Sequence, residues 1–138
     1  MPTTVVLKIL TAGDGAVGKT TLLNRYVSGR FLEGATMTIG VDILKKVLFL
    51  EDYKVMLQLW DFGGQEQFRF LHTSYTMGAS GAIVMFDLTR LITLNNVGEW
   101  VKICTTHVPD LPMILIGSKM DLQDLISVED DFINHKFD

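Results

Sequence analysis

At 138 residues the chain is long enough for one core and too short for two, since a single domain takes roughly 100–200 residues. Apolar residues make up 48% and charged residues 20%, which excludes a disordered chain and predicts one folded domain over residues 1–138. With 12 basic against 16 acidic residues and no basic run, nucleic acid and anionic membranes are excluded as main partners, so any phosphate recognition has to be local.

The start, Met1-Pro2-Thr3-Thr4, lacks the regions of a signal peptide and the glycine that myristoylation needs. No apolar run approaches the roughly 20 residues of a membrane span. The end, Phe137-Asp138, carries no cysteine for prenylation, so no anchor is expected in the chain as given. The single cysteine, Cys104, cannot form an internal disulfide; a buried thiol and a reducing, cytoplasmic setting are expected.

Val5–Leu10 is a short apolar run followed by glycines, which predicts a buried strand feeding a tight turn. In Lys19–Ser28 the residues Leu22, Leu23, Tyr26 and Val27 recur at helical spacing. Val41–Leu50 and Tyr53–Trp60 predict two strands joined as a hairpin at Glu51-Asp52. Gly81–Phe86 and Met113–Ile116 are further apolar strand candidates. Between them Leu94, Val97, Trp100, Val101, Cys104 and Val108 keep the helical period. Strands alternating with helices predict a mostly parallel sheet covered on both faces, with chemistry at the carboxyl ends of its strands.

Gly13-Asp14-Gly15-Ala16-Val17-Gly18-Lys19-Thr20 satisfies G-x-x-x-x-G-K-[ST] between a predicted strand and a predicted helix. A glycine-rich turn can point successive backbone N–H groups at one anion, and the helix start adds its positive end. Lys19 brings a full charge to the outer phosphates, and the Thr20 hydroxyl is a hard oxygen suited to Mg²⁺. The loop identifies phosphate and leaves an ATPase, a nucleoside kinase and a GTPase all open.

Three further segments follow in order: Thr38-Ile39-Gly40-Val41-Asp42, Leu59-Trp60-Asp61-Phe62-Gly63-Gly64-Gln65-Glu66 and Gly117-Ser118-Lys119-Met120-Asp121. Together with the loop they resemble the Ras-superfamily small GTPases over practically the whole chain. The Rab-like branch is the most similar, while Gly63-Gly64-Gln65 also resembles Arf-like wording, so the branch stays open. The resemblance implies an α/β fold of the P-loop NTPase type: a mostly parallel sheet, helices on both faces, and one antiparallel edge strand. It also implies a guanine-nucleotide switch that takes GTP and GDP with Mg²⁺ and hydrolyses GTP slowly. The alternative is an interaction module that holds nucleotide without turnover.

By that resemblance the nucleotide is held by Gly13, Asp14, Gly15, Ala16, Val17, Gly18, Lys19, Thr20 and Thr21 on the phosphate side. Phe31, Ser118, Lys119 and Asp121 are expected on the base side. The Asp121 carboxylate can accept from N1–H and NH₂ of guanine, whereas adenine offers no N1–H. Mg²⁺ is expected at Thr20, Thr38 and Asp61. Thr38 and the N–H of Gly64 would contact the γ-phosphate and let go when hydrolysis removes it. Gln65 matches the glutamine that orients the attacking water, so Gln65, Lys19 and Thr38 form the expected catalytic set. A GTPase-activating protein, an exchange factor and effectors are the partners implied, and Arg69 is read as a surface or partner-contact residue.

Two departures stand out. Ser118 replaces the family's usual asparagine, and its one short hydroxyl is expected not to reach both the guanine and the phosphate loop. The family's sixth strand, Ser-Ala-Lys loop and last helix are not matched, so apolar surface near Met113–Ile116 is expected; either the chain is a fragment, or a second copy covers that surface by self-association.

Overall fold

The computed structural model describes residues 2–29, 41–63 and 74–126. Five strands form one sheet in the order β2-β3-β1-β4-β5. In chain order these are β1 (Thr3–Ala12), β2 (Val41–Leu50), β3 (Tyr53–Phe62), β4 (Gly81–Asp87) and β5 (Met113–Ser118). β1 runs parallel to β3 and β4, and β4 parallel to β5; only β2 is antiparallel, paired along β3 with Leu50 opposite Tyr53. The hairpin turn is the predicted Glu51-Asp52, with Glu51 at φ 50°. The mostly parallel sheet with an antiparallel edge strand is therefore as expected.

Helix α1 (Lys19–Ser28) follows β1, while α2 (Leu91–Asn95) and α3 (Val97–Cys104) lie between β4 and β5. Alternation along the strands separates the two faces. Leu10, Ala12, Ala82, Val84 and Phe86 point to one face and pack with Leu94, Val97, Trp100 and Cys104 of α2 and α3 in the main core. On the other face Leu23 of α1 is buried, with Val55 and Leu59 of β3. Among the described residues no helix is long and apolar enough to cross a membrane.

Two expectations change. The run Val5–Leu10 is buried only towards its end, with Leu10 inside and Val6 54% exposed. α2 and α3 cover β1 only near its carboxyl end, leaving Val6 and its neighbour Met56 open. The single helix expected through Val108 is two short ones broken at Asn96. It stops at Cys104, where Thr105 and Thr106 donate their hydroxyls to Val101 and Lys102 carbonyls. Val108 precedes Pro109, which disfavours helical backbone, yet it still packs on the core from its loop. The expected apolar surface beside β5 is present: a cleft of about 530 Å³ is lined by Ile9, Leu23, Tyr26, Ile83, Met113 and Ile114, among others.

Candidate functional site

The carboxyl ends of β1, β3, β4 and β5 converge on the loop Gly13–Thr20. Gly13 sits at φ 149°, and a Cβ there would lie 2.3 Å from the Met85 carbonyl oxygen, so only glycine lets the loop cross β4 this closely. Ala16 (φ 63°) and Gly18 (φ 107°) take positive φ, turning the chain into α1. Val17 is fully buried and anchors the turn from inside.

Lys19 folds back over the loop. It is 5% exposed, and its ammonium donates to the carbonyls of Gly13 (2.8 Å) and Asp14 (2.9 Å). Buried charge is tolerated only with such partners, so the amine is fixed over the loop. The Thr20 hydroxyl donates to Oδ2 of Asp61, a buried carboxylate at the end of β3. These two hard oxygens fit Mg²⁺, which binds one or two protein oxygens and takes its other ligands from phosphate and water.

Two more loop carbonyls, those of Gly15 and Val17, are gripped from outside the loop. Nη2 of Arg90 donates to the Gly15 carbonyl at 2.8 Å, and the Ser118 hydroxyl lies 2.6 Å from the Val17 carbonyl. Ser118 therefore reaches the phosphate loop, which resolves half of the expectation about it. It also lies 3.0 Å from the Phe86 carbonyl, and a hydroxyl has one proton to share between those acceptors. The hydroxyl proton is thus committed to these carbonyls rather than to a base.

The Asp14 side chain is turned into the fold. Its carboxylate turns away from the loop's concave side into α2 and α3, where it accepts from Trp100 Nε1 at 2.8 Å and Asn96 Nδ2 at 2.7 Å. Trp100, read from its spacing as a core residue, is in the core and is also a donor to the loop.

On the base side, Lys119 is in the left-handed region at φ 66° and pairs with Asp87 at 2.7 Å. Asp87 is fully buried at the end of β4 and also accepts from Thr89 N and Oγ1 and from Arg90 Nε. Burial alone would raise its pKa, but the donors Lys119, Thr89 and Arg90 outweigh that and hold it at about 2. The site thus contains a permanent anion that sequence reading missed. Its signal was an acidic residue directly after the apolar run Gly81–Phe86.

Ser118, Lys119 and the exposed Asp121 line one cleft of about 630 Å³ together with Val17, Gly18 and Thr21. One opening is thus lined by Val17, Gly18 and Thr21 from the loop and α1 and by Ser118, Lys119 and Asp121 from the end of β5 and the turn after it. Phe31, Thr38, Gly64, Gln65 and Arg69 lie outside the described residues.

The Ras family profile matches residues 8–135. Ras-related protein RABA5c of Arabidopsis thaliana is 40% identical over 128 residues, covering 91% of this chain and 60% of that protein. Ras-related protein SEC4 of Saccharomyces cerevisiae is 39% identical over 126 residues (91% and 59%), and Ras-related protein YPT3 of Nicotiana plumbaginifolia 37% over 127 (91% and 58%). The chain spans about 60% of the length of these curated relatives. A match this extensive, on a sheet of this order and a loop of this geometry, means that the chain belongs to the Ras family and is Rab-like within it.

Proposed function

We propose that this domain binds GTP and GDP with Mg²⁺ and slowly hydrolyses GTP, acting as a molecular switch. The observation that carries this reading is the single cleft that Val17, Gly18 and Thr21 of the loop share with Ser118, Lys119 and Asp121. One ligand that is anionic at one end and a planar base at the other suits that lining. Asp121 favours guanine because it can pair with two N–H groups that adenine does not present together.

When bound, Mg²⁺ neutralises charge developing on the phosphate oxygens. Thr20 and Asp61 would hold it, with Thr38 joining in the triphosphate state. Lys19, already aligned on the loop carbonyls, orients the outer phosphates and stabilises the charge that grows there. Gln65 is assigned the positioning of the attacking water, and the N–H of Gly64 the contact that is lost with the γ-phosphate. Turnover without a partner is expected at about 10⁻³–10⁻⁴ s⁻¹, the scale of an unassisted member of this superfamily. A GTPase-activating protein, an exchange factor and effectors that read the segments around Thr38 and Gln65 complete the cycle.

Single-turnover release of γ-phosphate from bound GTP tests this. The native chain should release phosphate slowly and Gln65→Leu markedly more slowly, with GDP affinity unchanged. Equal rates in both would favour a module that holds nucleotide without using it.

A further inference from the structure

The loop carbonyls of Gly13 and Asp14 are held by Lys19, which belongs to the motif itself, and that of Val17 by Ser118 on the base side. Gly15 is different. Its carbonyl is held by Arg90, which lies between β4 and α2, outside every motif that the sequence singles out.

A trans peptide points the carbonyl of one residue and the N–H of the next in opposite directions, and no described peptide bond is cis. Arg90 pulling on the Gly15 carbonyl therefore aims the Ala16 N–H the other way. Ala16 is also a non-glycine residue at φ 63°, an unfavourable conformation that persists only where its surroundings hold it. Arg90 can do this because it is itself fixed: Nε donates to Oδ2 of Asp87 at 3.0 Å while Nη2 reaches the loop at 2.8 Å. The same Asp87 oxygen holds Lys119 at 2.7 Å. One buried carboxylate thus connects the base-side lysine to the backbone of the phosphate loop, with a guanidinium as the link.

We propose that Arg90 is a positioning residue: it locks the Gly15–Ala16 peptide so that its N–H meets the outer phosphates of a nucleoside diphosphate or triphosphate. Through Asp87 it ties that geometry to Lys119. This rests on the nucleotide-binding reading above. A lysine cannot replace the arginine, because a single ammonium does not present the rigid fork that spans two acceptors. The Arg90 side chain is 40% exposed, so its replacement leaves the core in place.

The test is equilibrium binding of fluorescent GDP and fluorescent GMP to the full chain as native, Arg90→Met and Arg90→Lys. Loss of one charge-assisted hydrogen bond should weaken GDP about tenfold in Arg90→Met. GMP, which lacks the outer phosphate, should bind as tightly as to the native chain. Arg90→Lys should restore only part of the GDP affinity. Unchanged GDP affinity in Arg90→Met overturns the proposal, as does equal weakening of GDP and GMP, the pattern of a general structural defect. Full recovery by lysine overturns it too, by reducing the role to charge. Failure of the nucleotide reading looks different: the native chain itself would bind neither ligand, and the proposal would fall with it.

Discussion

Asp87 shows how one residue's surroundings decide its chemistry. With its pKa held at about 2 in the folded chain, against roughly 3.9 for a free aspartate, it stabilises the fold fully above about pH 4 and loses that contribution as pH falls through about 2. The difference corresponds to about 2–3 kcal/mol. Asp87→Asn should lower the urea midpoint at neutral pH and then lose less than the native chain on acidification, as followed by tryptophan fluorescence. Ser118 gives a second residue-scale prediction. Its hydroxyl already holds the Val17 carbonyl, so Ser118→Ala should speed GDP dissociation. Ser118→Asn, which can hold the loop and also offer an N–H towards a base, should slow it by about tenfold if one hydrogen bond is gained. Stopped-flow displacement of fluorescent GDP reads both, and an unchanged or faster rate in Ser118→Asn would contradict this account.

At the scale of elements, α2 and α3 hold the loop as well as covering the sheet. Trp100 is fully buried in the core, and its indole N–H reaches Asp14. Trp100→Phe keeps an aromatic ring there but removes the donor from a nearly buried carboxylate, and should cost about 1–3 kcal/mol. Chemical denaturation measures this, with Asn96→Ala as a second cut at the same carboxylate. Legibility in the sequence followed the same division. The strands, α1 and the hairpin turn could be read because their apolar periods and glycines are local signals. The break at Asn96 could not, because the residues on both sides keep the helical period and the partner of the Asn96 side chain, Asp14, lies 82 positions away. The residues of the phosphate loop were legible as a motif. Asp87, Arg90 and the inward turn of Asp14 were not, since each depends on partners brought together by the sheet: Asp14 meets Trp100 across 86 positions and Arg90 meets Gly15 across 75.

Across the whole molecule, the functional groups gather at one end of the sheet while the core fills its middle. Cys104 belongs to that core: it is fully buried, and burial pushes its thiol up to about 12, so at neutral pH it is neutral and shielded. A thiol reagent should leave it unmodified in the folded chain and label it promptly in denaturant; fast labelling of the native protein would contradict the packing around α3. One cleft is lined by both the phosphate loop and Asp121, the carboxylate proposed to select guanine. The most direct test of that selection is competition against bound fluorescent GDP in the presence of Mg²⁺. GTP and GDP should displace the probe from the native chain and ATP should not, and Asp121→Asn should remove this preference. Equal displacement by ATP and GTP, or no binding of the probe at all, would contradict it.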